Sequence, residues 1–242
     1  MYVFPRRGIP RDTMGVRNDS EKLYGSGRNP TGGGKRKPME STHLLLAEIR
    51  KDVDAMISEH LGYPITVGLG TEDLAAFVEQ IFRSVFGDLI ARVEKDPAFQ
   101  NREKDVYKTS KPFQAVMYFR VANALYYLAA SRDLSGLLQS IAHKISMDAV
   151  TQTGVEIHPA AKIGERFVVD HGIGTVVGET TTIGHDCYIL QGVVLGALGV
   201  AQNFTGKRHP TIGNKVEIAS FAKLLGPIVV GDNVFIGPHC II

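Results

Sequence analysis

The sequence predicts an α+β fold, an amino-terminal α-helical domain followed by a left-handed parallel β-helix. Two periodicities and one shift in composition predict it. Apolar residues recur at three and four between residues 41 and 150, and aliphatic residues recur at six from residue 157 onward. A Gly- and Pro-rich stretch precedes both. The implied units are a disordered basic extension over 1–40, a helical domain over 41–150 and the β-helix over 151–242.

The extension holds seven Gly, four Pro and nine Lys or Arg against four Asp or Glu, with no sustained period. Such a composition buries too little apolar surface to offset the entropy of ordering. Its run Thr31 to Lys37 is Gly-rich, yet no strand precedes it and no Gly-Lys-Ser/Thr completes a phosphate loop.

In the helical domain Leu46, Ile49, Val53, Ile57 and Leu61 mark one buried helix face. After a break containing Gly62, Pro64, Gly68 and Gly70, a second face follows in Leu74, Phe77, Ile81, Val85 and Leu89. Two more are Met117, Val121, Leu125, Leu128 and Leu134, Leu138, Ile141, Ile145. These stripes are read as core and subunit contacts.

Beyond residue 153 the aliphatics are Ile157, Ile163, Val169, Val177, Ile183, Ile189, Leu195, Ile212, Ile218, Leu224, Val230, Ile236 and Ile242, and ten of their twelve gaps are six. One inward aliphatic per six residues gives one short strand and one turn, and three such units make a triangular coil. Coils bury their faces only by stacking. The gaps of eight (Val169 to Val177) and seventeen (Leu195 to Ile212) must leave the prism as loops, where function tends to sit. The first holds Asp170 and His171, the second Arg208 and His209. Cys187 and Cys240 fit small core positions, while His185 and His239 fall on turns open to solvent.

A net charge of +2 gives no reason to expect nucleic acid, and no apolar run of eighteen residues suggests a membrane span. The amino terminus lacks a secretory signal, and two cysteines make neither a disulfide framework nor a metal cluster. A cytoplasmic protein is expected. Zinc-dependent hydration on this type of fold needs a His-x4-His pair, and no two histidines here are five apart.

The segments EIHPAAKIG (156–164), VVDHGIGTVVGETTTIG (168–184), ILQGVVLGALG (189–199), KRHPTIG (207–213) and LLGPIVVGDNVFIG (224–237) resemble those of the serine O-acetyltransferase family of hexapeptide-repeat acyltransferases. The resemblance implies acetyl-CoA as co-substrate, L-serine as acceptor, no metal, and cysteine as feedback inhibitor. It implies His171 as general base, with Glu156 at the position of the acid that orients it, one methylene longer than the family's aspartate. It places Asp170 on the substrate ammonium, Arg208 on the carboxylate, His209 on serine and Asp96 at the edge of the pocket. Gly196, Ala197, Ser220, Ala222 and Lys223 fall along the implied acetyl-CoA groove, which the bulk of Phe221 narrows. A homotrimer or a hexamer of paired trimers is implied, with sites between neighbouring β-helices. The family continues past this chain's end with a segment over CoA, so weaker acetyl-CoA binding is expected here. Ile242 keeps the register of Ile236, so it should lie in a strand, and a complex with O-acetylserine sulfhydrylase is not expected.

Overall fold

The computed structural model describes residues 3–5, 39–61, 71–130, 135–201 and 204–242. The extension over 6–38, the break at 62–70 and Leu134 lie outside the described residues, as do the side chains of Leu61 and Leu74. Helices α1 (Met39–Leu61), α2 (Thr71–Lys95), α3 (Glu103–Thr109), α4 (Lys111–Ala130) and α5 (Ser135–Thr153) form the first half. Ile49, Val53 and Ile57 of α1 meet Ile81, Val85 and Leu89 of α2, Val121 and Leu125 of α4, and Ile145 of α5 in one core. Leu46 is only half-buried; its neighbour Leu45 takes the core position. Helix α5 ends because Gly154 adopts φ +71° and donates its N–H to Val150 O at 2.8 Å, a left-handed cap.

From there the chain winds four triangular coils. They comprise β2 (Glu156–Ile157), β3 (Lys162–Ile163) and β4 (Val168–Val169); β5 (Val176–Val177), β6 (Thr182–Ile183) and β7 (Tyr188–Ile189); β8 (Val194–Gly196), β9 (Thr211–Ile212) and β10 (Glu217–Ile218); and β11 (Lys223–Leu225), β12 (Val229–Val230) and β13 (Val234–Ile236). Three parallel sheets result: wall one (β2, β5, β8, β11), wall two (β3, β6, β9, β12) and wall three (β4, β7, β10, β13). The six-residue aliphatics stack in register, Ile157–Val177–Leu195–Leu224 on the first wall. Ile163–Ile183–Ile212–Val230 fill the second and Val169–Ile189–Ile218–Ile236 the third. Cys187 is fully buried in this core, and Cys240 packs against it. Ile242 starts another turn: its N–H reaches Lys223 O at 2.9 Å and its carbonyl accepts from Leu225 N at 2.8 Å.

The first corner joins walls one and two, the second joins two and three, and the third returns from three to one. Left-handed residues recur at equivalent turns, Arg166, Asp186, Lys215 and Asn233 at the second corner with φ of 55–60°.

Helix α4 plugs the prism's leading end. Ala115, Val116 and Phe119, each 2% exposed, pack with Val155, Ile157 and Phe167. A terminal coil has carbonyls that no further coil can satisfy, and buried polar groups left so are costly. Arg120 donates to Ile163 O at 2.7 Å and Gly164 O at 2.6 Å, Asn123 to Pro159 O and Ala161 O, and Ser146 to Ile157 O. Arg120 is itself clamped by the buried Asp88 of α2, at 2.8 and 3.0 Å, and Asp88 also accepts the Phe167 N–H. At the far end β1 (Val3–Pro5) pairs antiparallel with Val234–Ile236, extending wall three by one strand. These three residues of the extension are therefore strand.

Candidate active site

Residues 170–175 project at the third corner between β4 and β5. His171 stands there with its side chain 72% exposed and φ of 57°. A left-handed non-Gly residue can signal strain stored for function. The repeating corner position is held by Gly174, Gly192, Phe221 and His239 with φ of 76°, 68°, 62° and 58°. His171 stands before it in the two-residue insertion, which presents the imidazole to solvent.

Beneath it lies Asp170, nearly buried. Its Oδ1 accepts the His171 backbone N–H at 2.8 Å and an Arg92 N–H at 2.6 Å. Oδ2 accepts the Tyr188 hydroxyl at 2.6 Å and lies 3.9 Å from His171 Nε2. Burial opposes ionisation of Asp170, yet the hydrogen bonds from Arg92 and Tyr188 outweigh it and hold the carboxyl below its usual range. Burial, followed by the same carboxylate, pushes the Tyr188 phenol up, so it remains a donor. Arg92 also reaches Asp96 Oδ2 at 3.1 Å, donates to the Tyr188 hydroxyl at 3.1 Å and lies over the Phe99 ring. Asp96 is fixed as the N-cap of the 3₁₀ turn Pro97–Phe99, accepting the Ala98 N–H at 2.9 Å.

The first corner carries a second group. Arg208 pairs with Glu179 through Nη2 and Oε2. The Thr180 hydroxyl accepts the N–H groups of Arg208 and His209 at 3.0 and 3.1 Å. His209 Nδ1 accepts the Thr180 N–H at 3.1 Å, which leaves the proton of the neutral ring on Nε2. Burial, then Arg208, push His209 toward the neutral form. Its ring lies over Gly178, where a Cβ would come within 2.2 Å of it, so only glycine fits beneath.

His158 occupies that corner one coil earlier, its ring 5.0 Å from that of His143. Burial lowers its pKa to about 4, with His143, His209 and Arg208 adding to the shift and Glu179 opposing it. The unfolded chain holds that proton up to about pH 6.5. His158 therefore contributes stability that is complete above that value and lost as pH falls toward 4. Urea midpoints are expected to drop over this window, and to drop less in His158→Asn; equal slopes in the two proteins would rule the contribution out.

Asp96, Asp170 and His171 thus come together through Arg92, and Arg208 joins His209, but the two groups sit at different corners. Glu156 is exposed on β2, and the structure places no hydrogen bond or ion pair between it and His171. Among the groove residues, Lys223 is exposed and Ser220 half-buried near the third corner, while Gly196 and Ala197 lie at the opposite edge of wall one. Ala222 is fully buried, so its methyl fills the prism and cannot touch a cofactor. Phe221 stacks on His239 with ring centroids 5.2 Å apart and covers Gly192. His239 is a stacking partner, not merely a solvated turn. No cluster of three or more His, Cys, Asp or Glu suited to a metal ion occurs among the described residues.

Sequence reasoning missed Arg92, Tyr188, Glu179 and Thr180. For Arg92 a signal existed, since it sits in the last turn of α2 four residues before Asp96, the spacing of an ion pair.

Residues 209–242 match the family model of the bacterial transferase hexapeptide (six repeats). A serine acetyltransferase of Helicobacter pylori is 42% identical over 153 residues, which span 62% of this chain and 81% of that protein. The chain belongs to the serine acetyltransferase family. The crystal structure of serine acetyltransferase isoform 3 from Entamoeba histolytica, in complex with cysteine, superposes with a TM-score of 0.59 at 32% identity. That match covers 83% of this chain and 66% of the other, so this chain spans about two thirds of that serine acetyltransferase. The serine acetyltransferase of Brucella abortus in complex with coenzyme A superposes with a TM-score of 0.58 at 30% identity, over 76% of this chain and 70% of that one.

Proposed function

We propose that this member of the serine acetyltransferase family moves acetyl from acetyl-CoA to the hydroxyl of L-serine, releasing CoA and O-acetylserine for cysteine synthesis. The observation that carries the reading is the exposed His171 imidazole, set above a carboxylate anchored by Arg92, Tyr188 and the His171 N–H. Serine's hydroxyl is a weak nucleophile until a base removes its proton. His171 takes that proton as the oxygen attacks the thioester carbonyl. The C–S bond then breaks, and the imidazolium returns the proton to the leaving thiolate. The ionised Asp170 favours the imidazolium by charge.

Arg208 and His209 act in this reading from a neighbouring copy, whose first corner faces the third corner of the next. A homotrimer with three such sites follows, and pairing of the helical domains over 41–150 makes it a hexamer. The planar Arg208 guanidinium suits the acceptor's carboxylate. Cysteine carries the same ammonium and carboxylate as serine and competes for the same place. Wall one, flanked by Gly196, Ala197, Ser220 and Lys223, forms the path for the pantetheine arm. A reducing, cytoplasmic location suits two free cysteines.

Thiol release from acetyl-CoA in the presence of L-serine tests the activity, and light scattering tests the assembly. Release no faster than with acetyl-CoA alone overturns the first part, and a monomer at micromolar concentration overturns the second.

A further inference from the structure

An amino-acid acceptor whose hydroxyl reaches His171 brings its ammonium within a few ångströms of the same ring, where a carboxylate must meet it. The carboxylates tied to that spot are Asp170 and, through Arg92, Asp96. A guanidinium already lies between them, 2.6 Å from Asp170 Oδ1 and 3.1 Å from Asp96 Oδ2, on a side chain 6% exposed. Asp170 Oδ1 already accepts two N–H groups and Oδ2 the Tyr188 hydroxyl. One lone pair is left on Asp170 for a newcomer that has three protons to place. That newcomer also meets a fixed positive charge. The Phe99 ring and the Tyr188 hydroxyl hold the Arg92 guanidinium in position.

We propose that Arg92 is a specificity-determining residue: its guanidinium fills the ammonium position between Asp96 and Asp170, so the site accepts small β-hydroxy acids without an α-ammonium alongside serine. The inference rests on the acetyl transfer proposed at His171 and defines its acceptor class. Two carboxylates and one guanidinium leave a single net negative charge under His171. That charge stabilises the imidazolium formed during transfer but does not serve a second cation as well. Arg92 Nε is buried without a hydrogen-bond partner.

Thiol release with L-serine is compared with release using β-hydroxypropanoate, which keeps the hydroxyl and carboxylate and lacks the ammonium. Wild type, Arg92→Gln and Arg92→Leu are assayed. Wild type is expected to use the two acceptors with kcat/KM values within about tenfold of each other. Both variants are expected to shift that ratio toward serine by about tenfold or more, through a lower serine KM relative to that of β-hydroxypropanoate. A wild-type preference for serine above roughly a thousandfold, or an unchanged ratio in folded variants, overturns the inference and leaves acetyl transfer standing. Release with neither acceptor removes the acetyl transfer and the inference together. If both variants misfold by circular dichroism, the wild-type ratio decides alone.

Discussion

Exchange of His171 for alanine is expected to slow acetyl transfer to serine by a factor of roughly 10²–10⁴, the usual worth of a positioned acid–base group. The loss should fall on turnover, because in the proposed mechanism the imidazole acts on the proton in flight and not on the grip on the acceptor. Folding should not change. The ring is 72% exposed, and what fixes the corner is the His171 backbone N–H to Asp170, which alanine retains. Circular dichroism and assembly mass should therefore match the parent. Near-normal turnover in this variant would remove His171 from the mechanism.

The largest effect on stability is expected away from the site, at Asp88. Asp88→Ala should cost about 3–5 kcal/mol, because it strands the Arg120 guanidinium in a buried position. Asp88 is 1% exposed and Arg120 7%, so neither water nor another acid reaches the orphaned charge. The same carboxylate accepts the Phe167 N–H, so one truncation frees two donors at the joint between α2, α4 and the first coil. Asp88→Ala combined with Arg120→Leu should recover part of the loss, since the stranded charge is then gone. Equilibrium urea unfolding measures both. A loss below about 1 kcal/mol would put the pair in the class of surface ion pairs and contradict its role as the joint.

How far the fold was legible depended on whether a pattern reports its own partner. Apart from the two insertions each corner of the β-helix has a fixed length, so the inward residues of successive coils keep a constant spacing. Spacing alone therefore assigns Val230 its place beside Ile212 and Ile236 its place beside Ile218. Helical periodicity is weaker evidence, because it shows a buried face but not what buries it. In α4 the stripe of Met117, Val121 and Leu125 was visible, yet Ala115, Val116 and Phe119 on another face plug the prism. A helix apolar on two sides reads as one broad stripe. The candidate site divided along the same line. Asp170 and His171 stood out because an insertion breaks a strict repeat. Arg92 did not, since an Arg four before an Asp is commonest on solvated helices. Only the packing of α2 and Phe99 against wall three turns that pair inward. Glu156 is the opposite case. Its place beside the His-Pro turn was legible, but side-chain reach to His171 is a matter of three-dimensional distance that spacing does not carry.

The two ends of the prism bear on a hazard shared by every stack of like rungs. A rung with a bare rim is a template, and copies of the chain could add to one another without limit, growing a fibre by the same hydrogen bonds that hold one molecule together. At the leading rim this route is closed, since α4 stands over it and Arg120, Asn123 and Ser146 already hold the outward carbonyls. At the trailing rim β1 runs against the direction of the strands below it. A strand of reversed polarity offers the wrong hydrogen-bond lattice to an incoming parallel rung. A molecule blocked at one rim and mismatched on wall three at the other favours its flanks, where the histidine and arginine corners sit, as the surfaces through which copies meet.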